Sequence, residues 1–189
     1  MKQKFLLVDG IIAAQTPGIE ASFKSILNSI DTIVEIGFNR GALSLWLSRN
    51  KKAKTKLVSY DITFQDKCVD ALEIDFRLGD CFEECIIEEI RSLIQRNGKT
   101  LLLCDGGNKE KEFEIYASFL KDGDVIMLHD YAHSDSEYEV IKESIGWETP
   151  PESRYENIKD LLDLNNLIPY QYEMFKNVLW GSFIKKHLK

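Results

Sequence analysis

The sequence predicts an α/β fold with a Rossmann-like, doubly wound sheet that is mostly parallel and ends in an antiparallel C-terminal strand pair. Short apolar runs rich in β-branched residues alternate with segments whose apolar residues recur at helical spacing. Most of these runs end in glycine or in an acid, as strands of α/β proteins do. No low-complexity linker divides the 189 residues, so we expect one domain over residues 1–189.

The elements predicted in the first half share one pattern, in which each strand is a short apolar run and each helix carries an apolar stripe. An N-terminal segment and helix occupy residues 1–30. In order, the elements are a helix from Pro17 to Ile30, a strand from Thr32 to Gly37, a glycine loop to Gly41, a helix from Ala42 to Ser48, a strand from Lys56 to Asp61, a weak strand around Ile74 to Leu78, and a helix around Cys85 to Ile94.

The second half continues the alternation and then becomes irregular. Residues 131–166 are polar and are interpreted as a variable loop followed by a helix, on the side where an acceptor would bind. In order, the elements are a strand from Leu101 to Asp105, a helix around Phe113 to Leu120, a strand from Val125 to Leu128 that is followed by His129 and Asp130, a helix around Tyr155 to Leu164, and two strands, Leu167 to Met174 and Val178 to Ile184, joined by a turn at Phe175 to Asn177.

Composition argues against several classes of function. The chain has 24 Lys and Arg against 31 Asp and Glu, and this net charge of −7 opposes nucleic-acid binding. No run approaches the ~20 apolar residues of a membrane span. The cysteines lack the spacing of a zinc site or a disulfide framework, which favours a cytoplasmic protein. They are Cys68, Cys81, Cys85 and Cys104.

Polar residues and glycines gather at the predicted strand ends. In a doubly wound sheet, ligands bind beyond the C-terminal ends of the strands, where the strand order switches. Any one glycine or aspartate could simply end its strand, but so many aligned positions favour a site. They are Gly37 to Gly41, Asp61, Asp105, His129 and Asp130.

The first glycine loop disfavours a dinucleotide. Gly37 and Gly41 have G-x-x-x-G spacing, and the chain lacks both the G-x-G-x-x-G fingerprint and a phosphate-binding P-loop. Glu35 precedes the loop and would repel a pyrophosphate, whereas it suits a ligand with an ammonium or sulfonium group. A cationic nucleoside fits this loop better.

These residues resemble a known family. The segment from Val34 to Gly41, followed by Ser44, resembles motif I of the class I S-adenosylmethionine-dependent methyltransferases. The resemblance implies that Asp61 binds the ribose hydroxyls and that the segment at Asp80 contacts the adenine. The cofactor-binding residues that it implies are Glu35, Gly37, Asn39, Gly41, Asp61, Asp80 and Cys81.

A second resemblance is narrower. The turn from Asp105 to Asn108 and the strand that ends in His129 and Asp130 resemble the macrocin O-methyltransferase and cephalosporin-hydroxylase-like subgroup. That resemblance implies Mg²⁺ at Asp105 and Asp130, with His129 as a further candidate ligand. A divalent ion held by carboxylates lowers the pKa of a coordinated hydroxyl and orients it.

The sequence offers several candidates for the base that would take the acceptor's proton. Asn108 stands where the subgroup often has a basic histidine, and an amide cannot serve as a base. His129 is the first candidate for the base and His133 the second, and Lys109 is a weaker choice. Asn108 is kept with the two histidines as a candidate catalytic position. His129 could equally bind the metal or only make a structural hydrogen bond. His133 and Lys109 could simply face water.

The sequence thus predicts an S-adenosylmethionine-dependent O-methyltransferase that acts on a small-molecule hydroxyl, with Mg²⁺ as an optional second cofactor. One alternative is a non-catalytic module that binds S-adenosylmethionine, and a less favoured one is an NAD-dependent oxidoreductase. Neither nucleic acid nor a membrane is expected as a partner. Because few residues are left for acceptor recognition, the acceptor site is expected to be small, open or completed by a second subunit of a homo-oligomer.

Overall fold

The computed structural model describes residues 5–64, 74–146 and 148–186. Strands and helices alternate along most of these ranges. The strands are β1 (Leu6–Val8), β2 (Ile11–Ala13), β3 (Thr32–Ile36), β4 (Lys56–Asp61), β5 (Asp75–Leu78), β6 (Thr100–Cys104), β7 (Val125–His129), β8 (Tyr131–Ala132), β9 (Ser153–Arg154), β10 (Leu167–Pro169) and β11 (Trp180–Lys185). The α-helices are α1 (Ile19–Leu27), α2 (Ala42–Asn50), α3 (Glu84–Ile94), α4 (Lys109–Ala117), α5 (Asp135–Ile145), α6 (Tyr155–Leu164) and α7 (Tyr172–Phe175).

The main sheet has seven strands within the described residues, in the order β10-β11-β7-β6-β3-β4-β5. The five strands from β7 to β5 are parallel, whereas β11 runs antiparallel to both β7 and β10. The order reverses at β3, which pairs with β4 on one side and with β6 on the other. The prediction of a doubly wound, mostly parallel sheet with an antiparallel C-terminal strand pair is confirmed.

Strand β6 shows why the sheet needs apolar residues on both faces. Leu101 and Leu103 pack into one hydrophobic cluster with residues of α1 and α2, and Leu102 and Cys104 pack into another with residues of α3, α4 and α6. All four side chains are buried, because successive residues of a strand point to opposite faces. This double burial explains the uninterrupted apolar run in the sequence.

Helix α5 occupies part of the segment that was expected to be a loop. Only Tyr138 and Ile141 are buried among its residues, so its apolar stripe is too short to stand out in the sequence. Its caps are nevertheless standard: the Ser134 side chain accepts a hydrogen bond from the Glu137 N–H, and Gly146 ends the helix with a left-handed backbone. This helix was not predicted because most of its residues are polar.

The C-terminal region differs from the expected hairpin. The strand predicted from Leu167 to Met174 ends at Pro169, and Gln171 takes a positive φ of 50° that turns the chain into α7. Phe175 at the end of α7 packs its ring 5.6 Å from that of Phe23. The apolar residues in this stretch therefore serve a helix and not an extended strand.

The N-terminal segment contains an antiparallel strand pair, β1 and β2, that the sequence did not indicate. Its register pairs Leu6 with Ala13 and Val8 with Ile11. Cys68 lies outside the described residues, and the single domain stays a prediction. Within the described ranges, no helix combines the length and the apolar character that crossing a membrane requires.

Candidate functional site

Two cavities open where the strand order reverses. We name them the β4-side cavity, of about 380 Å³, and the β7-side cavity, of about 420 Å³. Gly37, Asn39 and Asp105 line both, so the two cavities adjoin at the ends of β3 and β6. This is the position at which open α/β sheets bind their ligands.

The β4-side cavity collects most of the residues predicted to bind the cofactor. Asp61 ends β4, and its Oδ2 accepts a hydrogen bond from the Asn39 N–H at 2.8 Å. Asp80 holds the next loop, because its Oδ1 accepts from the Phe82 N–H at 2.9 Å. Burial raises the pKa of Cys81 to about 12, so its thiol is uncharged. The predicted residues that line this cavity are Gly37, Asn39, Asp61, Asp80 and Cys81.

The glycine loop needs both of its glycines. Gly37 has a φ of 96°, and a Cβ there would lie 2.2 Å from the Asp105 carbonyl oxygen. Gly41 has a φ of 75° and precedes α2, and a Cβ there would lie 2.3 Å from the Phe38 ring. Gly41 shapes the loop but lines neither cavity, whereas Gly37 brings the loops after β3 and β6 into contact.

The floor of the β7-side cavity is a cluster of charged side chains. His129 ends β7, and its Nδ1 lies 2.7 Å from Asp105 Oδ1 and 3.4 Å from Asp130 Oδ2. Burial opposes a charge on the ring, but the two carboxylates and the hydrogen bond to Asp105 outweigh it and raise the pKa of His129. The predicted convergence of Asp105, His129 and Asp130 is therefore present.

Gln15 completes this cluster, and sequence reasoning missed it. Its side chain is buried; Nε2 donates to Asp105 Oδ2 at 2.7 Å, and Oε1 accepts from Trp180 Nε1 at 2.9 Å. The segment that carries Gln15 also lines the cavity with Phe5 and Ile12. No spacing rule links a glutamine to an aspartate 90 positions away, so only the fold could reveal the contact.

Lys109 is also part of the cluster, although the sequence favoured a solvated position. It is the first residue of α4 and is only 7% exposed. Its Nζ lies 2.7 Å from Glu152 Oε2 and 3.4 Å from Asp130 Oδ2. Burial disfavours the charged amine, but Glu152, Asp105 and Asp130 outweigh it and raise the pKa of Lys109. A charged ammonium cannot act as a base.

Comparison with known proteins adds a fold-level similarity. No family model and no curated protein matches the chain. Among solved structures, a CmcI apo-structure aligns with a TM-score of 0.69 at 17% identity, over 97% of this chain and 77% of that one. A Staphylococcus aureus protein assigned as a caffeoyl-CoA O-methyltransferase aligns at 0.57 and 14%, over 96% and 86%. The MycE methyltransferase with Mg, SAH and mycinamycin VI aligns at 0.52 and 16%, over 90% and 49%.

The chain has a Rossmann-like methyltransferase fold. Because the CmcI alignment covers 97% of the chain, the similarity extends beyond the sheet to the segments on either side of it. The fold implied by the sequence resemblance is thus confirmed. At these identities the similarity concerns the fold, and function has to be argued from the site.

The sequence placed Glu35 among the cofactor-binding residues, but its side chain lies outside both cavities. Its carboxylate is fully buried beneath the glycine loop, where it accepts hydrogen bonds from the Ser44 and Ser59 hydroxyls. Burial raises its pKa to about 7 against the opposing effect of these hydrogen bonds. Glu35 lines neither cavity, so it supports the loop from below.

Asn108 caps the helix that follows it. Its side chain is exposed and caps α4 by accepting from the Lys111 N–H at 3.1 Å. Glu112, one turn along the helix, accepts from the N–H groups of Gly106 and Asn108 at 3.2 and 3.3 Å. Burial raises the pKa of Glu112 to about 7. The sequence signal for these hydrogen bonds was the spacing from Asn108 to Glu112, which is close to that of a capping box.

His133 lies apart from the two cavities. The side chain is exposed, its ring centroid is 4.7 Å from that of Tyr155, and it lines neither cavity. The structure therefore separates His133 from His129, and only His129 lies within the site.

Proposed function

We propose that this protein is an S-adenosylmethionine-dependent methyltransferase that methylates a hydroxyl group of a small-molecule acceptor. One observation carries the proposal: the two cavities share Gly37, Asn39 and Asp105. A nucleoside bound in the β4-side cavity would thus place its reactive end beside an acceptor in the β7-side cavity. Such juxtaposition is the main contribution a protein makes to a group transfer.

The residues of the β4-side cavity suit this cofactor. Asp61 presents a carboxylate at a strand end. The N–H groups of Asn39 and Thr63 fix its two oxygens, whose remaining lone pairs could accept from vicinal ribose hydroxyls. Gly37, Asp80 and Cys81 would form the remaining wall. When bound, S-adenosylmethionine supplies an electrophilic methyl group on sulfur.

We assign the acceptor's proton to His129. Asp105 accepts the Nδ1–H at 2.7 Å, which fixes the orientation of the ring and makes Nε2 the nitrogen that exchanges a proton. As the new C–O bond forms and the S–CH₃ bond breaks, the hydroxyl proton would pass to the neutral form of His129, the form that its raised pKa makes less populated. Asp105 would then stabilise the protonated ring without itself taking the proton.

The charged cluster also fits Mg²⁺. Asp130 Oδ1 is buried and accepts no hydrogen bond from any described residue, and the Asp105 carboxylate belongs to the same cluster. In the described ranges no three His, Cys, Asp or Glu side chains are arranged to hold a metal ion together, so Asp105 and Asp130 would hold it as a pair, with waters completing its shell. Mg²⁺ would lower the pKa of a coordinated hydroxyl.

The acceptor is proposed to be small. The β7-side cavity holds about 420 Å³, and its walls include the apolar side chains of Phe5, Ile12 and Leu43. MycE, whose fold is similar, is described in complex with the small molecule mycinamycin VI. A second subunit that completes the cavity and a cytoplasmic location stay predictions.

Isothermal titration with S-adenosylmethionine tests the cofactor assignment. We expect binding to the wild-type chain and at least about tenfold weaker binding to Asp61→Ala, because a charge-assisted contact to the ribose is lost. Asp163→Ala, which removes an exposed carboxylate on α6, is the matched control and should bind normally. Absence of binding at millimolar ligand would contradict the proposal.

Transfer of a labelled methyl group to a panel of hydroxylated small molecules tests the reaction. His129→Ala should retain cofactor binding and lose turnover. Cofactor binding without turnover on any acceptor would favour the non-catalytic module instead. Displacement of S-adenosylhomocysteine by NAD would favour the oxidoreductase.

A further inference from the structure

Lys109 is in an unfavourable place for a cation. It stands in the first turn of α4, where the helix dipole repels positive charge, and it is almost completely buried. Burying an ammonium costs free energy unless carboxylates compensate for the lost water. Asp130 and Glu152 provide that compensation, at 3.4 and 2.7 Å from Nζ.

The two partners of Lys109 are not equivalent. Asp130 is one of the two carboxylates proposed to hold Mg²⁺, and its side chain is only 13% exposed. Glu152 is the closer partner of the ammonium, and its side chain is 52% exposed. A small cavity of about 120 Å³, lined by Gly107, Glu152 and Lys109 itself among others, adjoins this second partner.

A lysine ammonium and Mg²⁺ cannot both contact the Asp130 carboxylate at low cost. Like charges that are a few ångströms apart in a buried site repel strongly. Mg²⁺ at Asp130 Oδ1 would lie close to the ammonium that now contacts Oδ2, so metal binding would favour a Lys109 conformation that keeps the 2.7 Å contact with Glu152 and gives up the 3.4 Å contact with Asp130. The space beside Glu152 gives the side chain room for that movement.

We infer that Lys109 is a resident cation of the charged cluster: it neutralises Asp130 in the absence of metal, competes with Mg²⁺ for that carboxylate, and keeps only its contact with Glu152 when the metal binds. This inference rests on the metal site within the proposed function. It makes Lys109 a positioning residue that sets how strongly the chain binds Mg²⁺.

Titration of the full chain with Mg²⁺ by calorimetry, at constant ionic strength, tests the competition. Lys109→Met keeps the length of the side chain without the charge, and we expect it to bind Mg²⁺ at least about tenfold more tightly than the wild type. Lys109→Gln should shift affinity in the same direction. Lys111→Met removes an exposed lysine two residues away on α4 and should leave affinity unchanged. Wild-type affinity in both Lys109 variants would overturn the inference.

Glu152→Gln tests whether Glu152 affects Mg²⁺ binding through its contact with Lys109 or only through its own negative charge. With Lys109 present, it should weaken Mg²⁺ binding, because the ammonium loses its alternative partner. In the Lys109→Met background, the same substitution should have little effect. If Glu152→Gln weakens Mg²⁺ binding equally in both backgrounds, Glu152 acts only through its charge. That result would overturn its role as the partner that Lys109 keeps when the metal binds.

Titration of the same samples with S-adenosylhomocysteine distinguishes failure of the inference from failure of the proposed function. Normal nucleoside binding with unchanged Mg²⁺ affinity in the Lys109 variants overturns the inference alone. No nucleoside binding by the wild type would contradict the proposed function itself. Absence of Mg²⁺ binding in every variant also overturns the inference. Circular dichroism and thermal melting identify any variant that fails to fold.

Discussion

Replacing Gln15 by leucine tests whether the N-terminal segment anchors the charged cluster. Gln15 is buried and joins two groups, because its amide donates to Asp105 and its carbonyl oxygen accepts from the Trp180 indole. Leucine has a similar size but can do neither. The substitution therefore removes a hydrogen bond to a carboxylate and leaves a buried indole N–H without its acceptor.

The expected cost follows from these two losses. A hydrogen bond to a charged group contributes about 1.5–3 kcal/mol, and an unsatisfied buried donor costs about 1–3 kcal/mol. We expect Gln15→Leu to lower the free energy of unfolding by about 3 kcal/mol. Combining Gln15→Leu with Trp180→Phe removes both members of the second bond, so the double variant should cost less than the sum of the single variants by at least about 1 kcal/mol.

Urea unfolding followed by far-UV circular dichroism measures both quantities without depending on Trp180 fluorescence. Gln95→Leu is the matched control, since Gln95 is exposed and donates one hydrogen bond, to the Phe119 carbonyl. We expect it to cost less than about 1 kcal/mol. A Gln15→Leu cost within the range of this control, or strict additivity with Trp180→Phe, would refute the anchoring role of Gln15.

Three further predictions concern the loops around the site. Because the pKa of Glu35 is raised from 4.5 to about 7, the folded state binds more protons than the unfolded state between these values, so stability should fall by about 3 kcal/mol as pH rises through this window. Glu35→Gln should remove this fall in unfolding measured against pH, and Glu112, whose pKa is also raised to about 7, should leave a second fall of similar size over the same window. Gly37→Ala should abolish S-adenosylmethionine binding in calorimetry, because the new Cβ meets the Asp105 carbonyl; normal affinity would contradict this. Asn108→Ala should lower stability by about 1 kcal/mol in urea and leave cofactor affinity unchanged, and a loss of affinity would return Asn108 to the binding machinery.

The sheet could be predicted from the sequence because its physical signals are local. The β6 run from Thr100 to Cys104 is buried on both faces, so every position is apolar or small, and the strand is visible without tertiary information. The glycine loop is equally visible, since the positive φ at Gly37 has few alternatives to glycine. Helix α5 was missed for the opposite reason, because it buries only two side chains and its main signals are its caps.

The chemistry of the site could be predicted only in part. Strand-end residues such as Asp105 and His129 follow from the topology of any doubly wound sheet. The contacts that decide their roles join distant parts of the chain, as Gln15 joins Asp105, and carry no pattern in the sequence. Lys109 shows the same limit, since helix periodicity could not indicate that two carboxylates from later segments would enclose it.

The structure also changes which acid would face a cationic cofactor. Sequence reasoning assigned that role to Glu35, but Glu35 is sealed beneath the loop, and its raised pKa weakens its charge near neutral pH. Asp105 lines both cavities and is therefore the carboxylate placed to face a sulfonium group. The carboxylates of Asp105, Asp130 and Glu152 balance the cations around the cavity, which are Lys109, a protonated His129 and Arg40. When the sulfonium becomes a neutral thioether, sulfur loses its positive charge. Its attraction to the Asp105 carboxylate would then weaken, which would favour release of the product nucleoside.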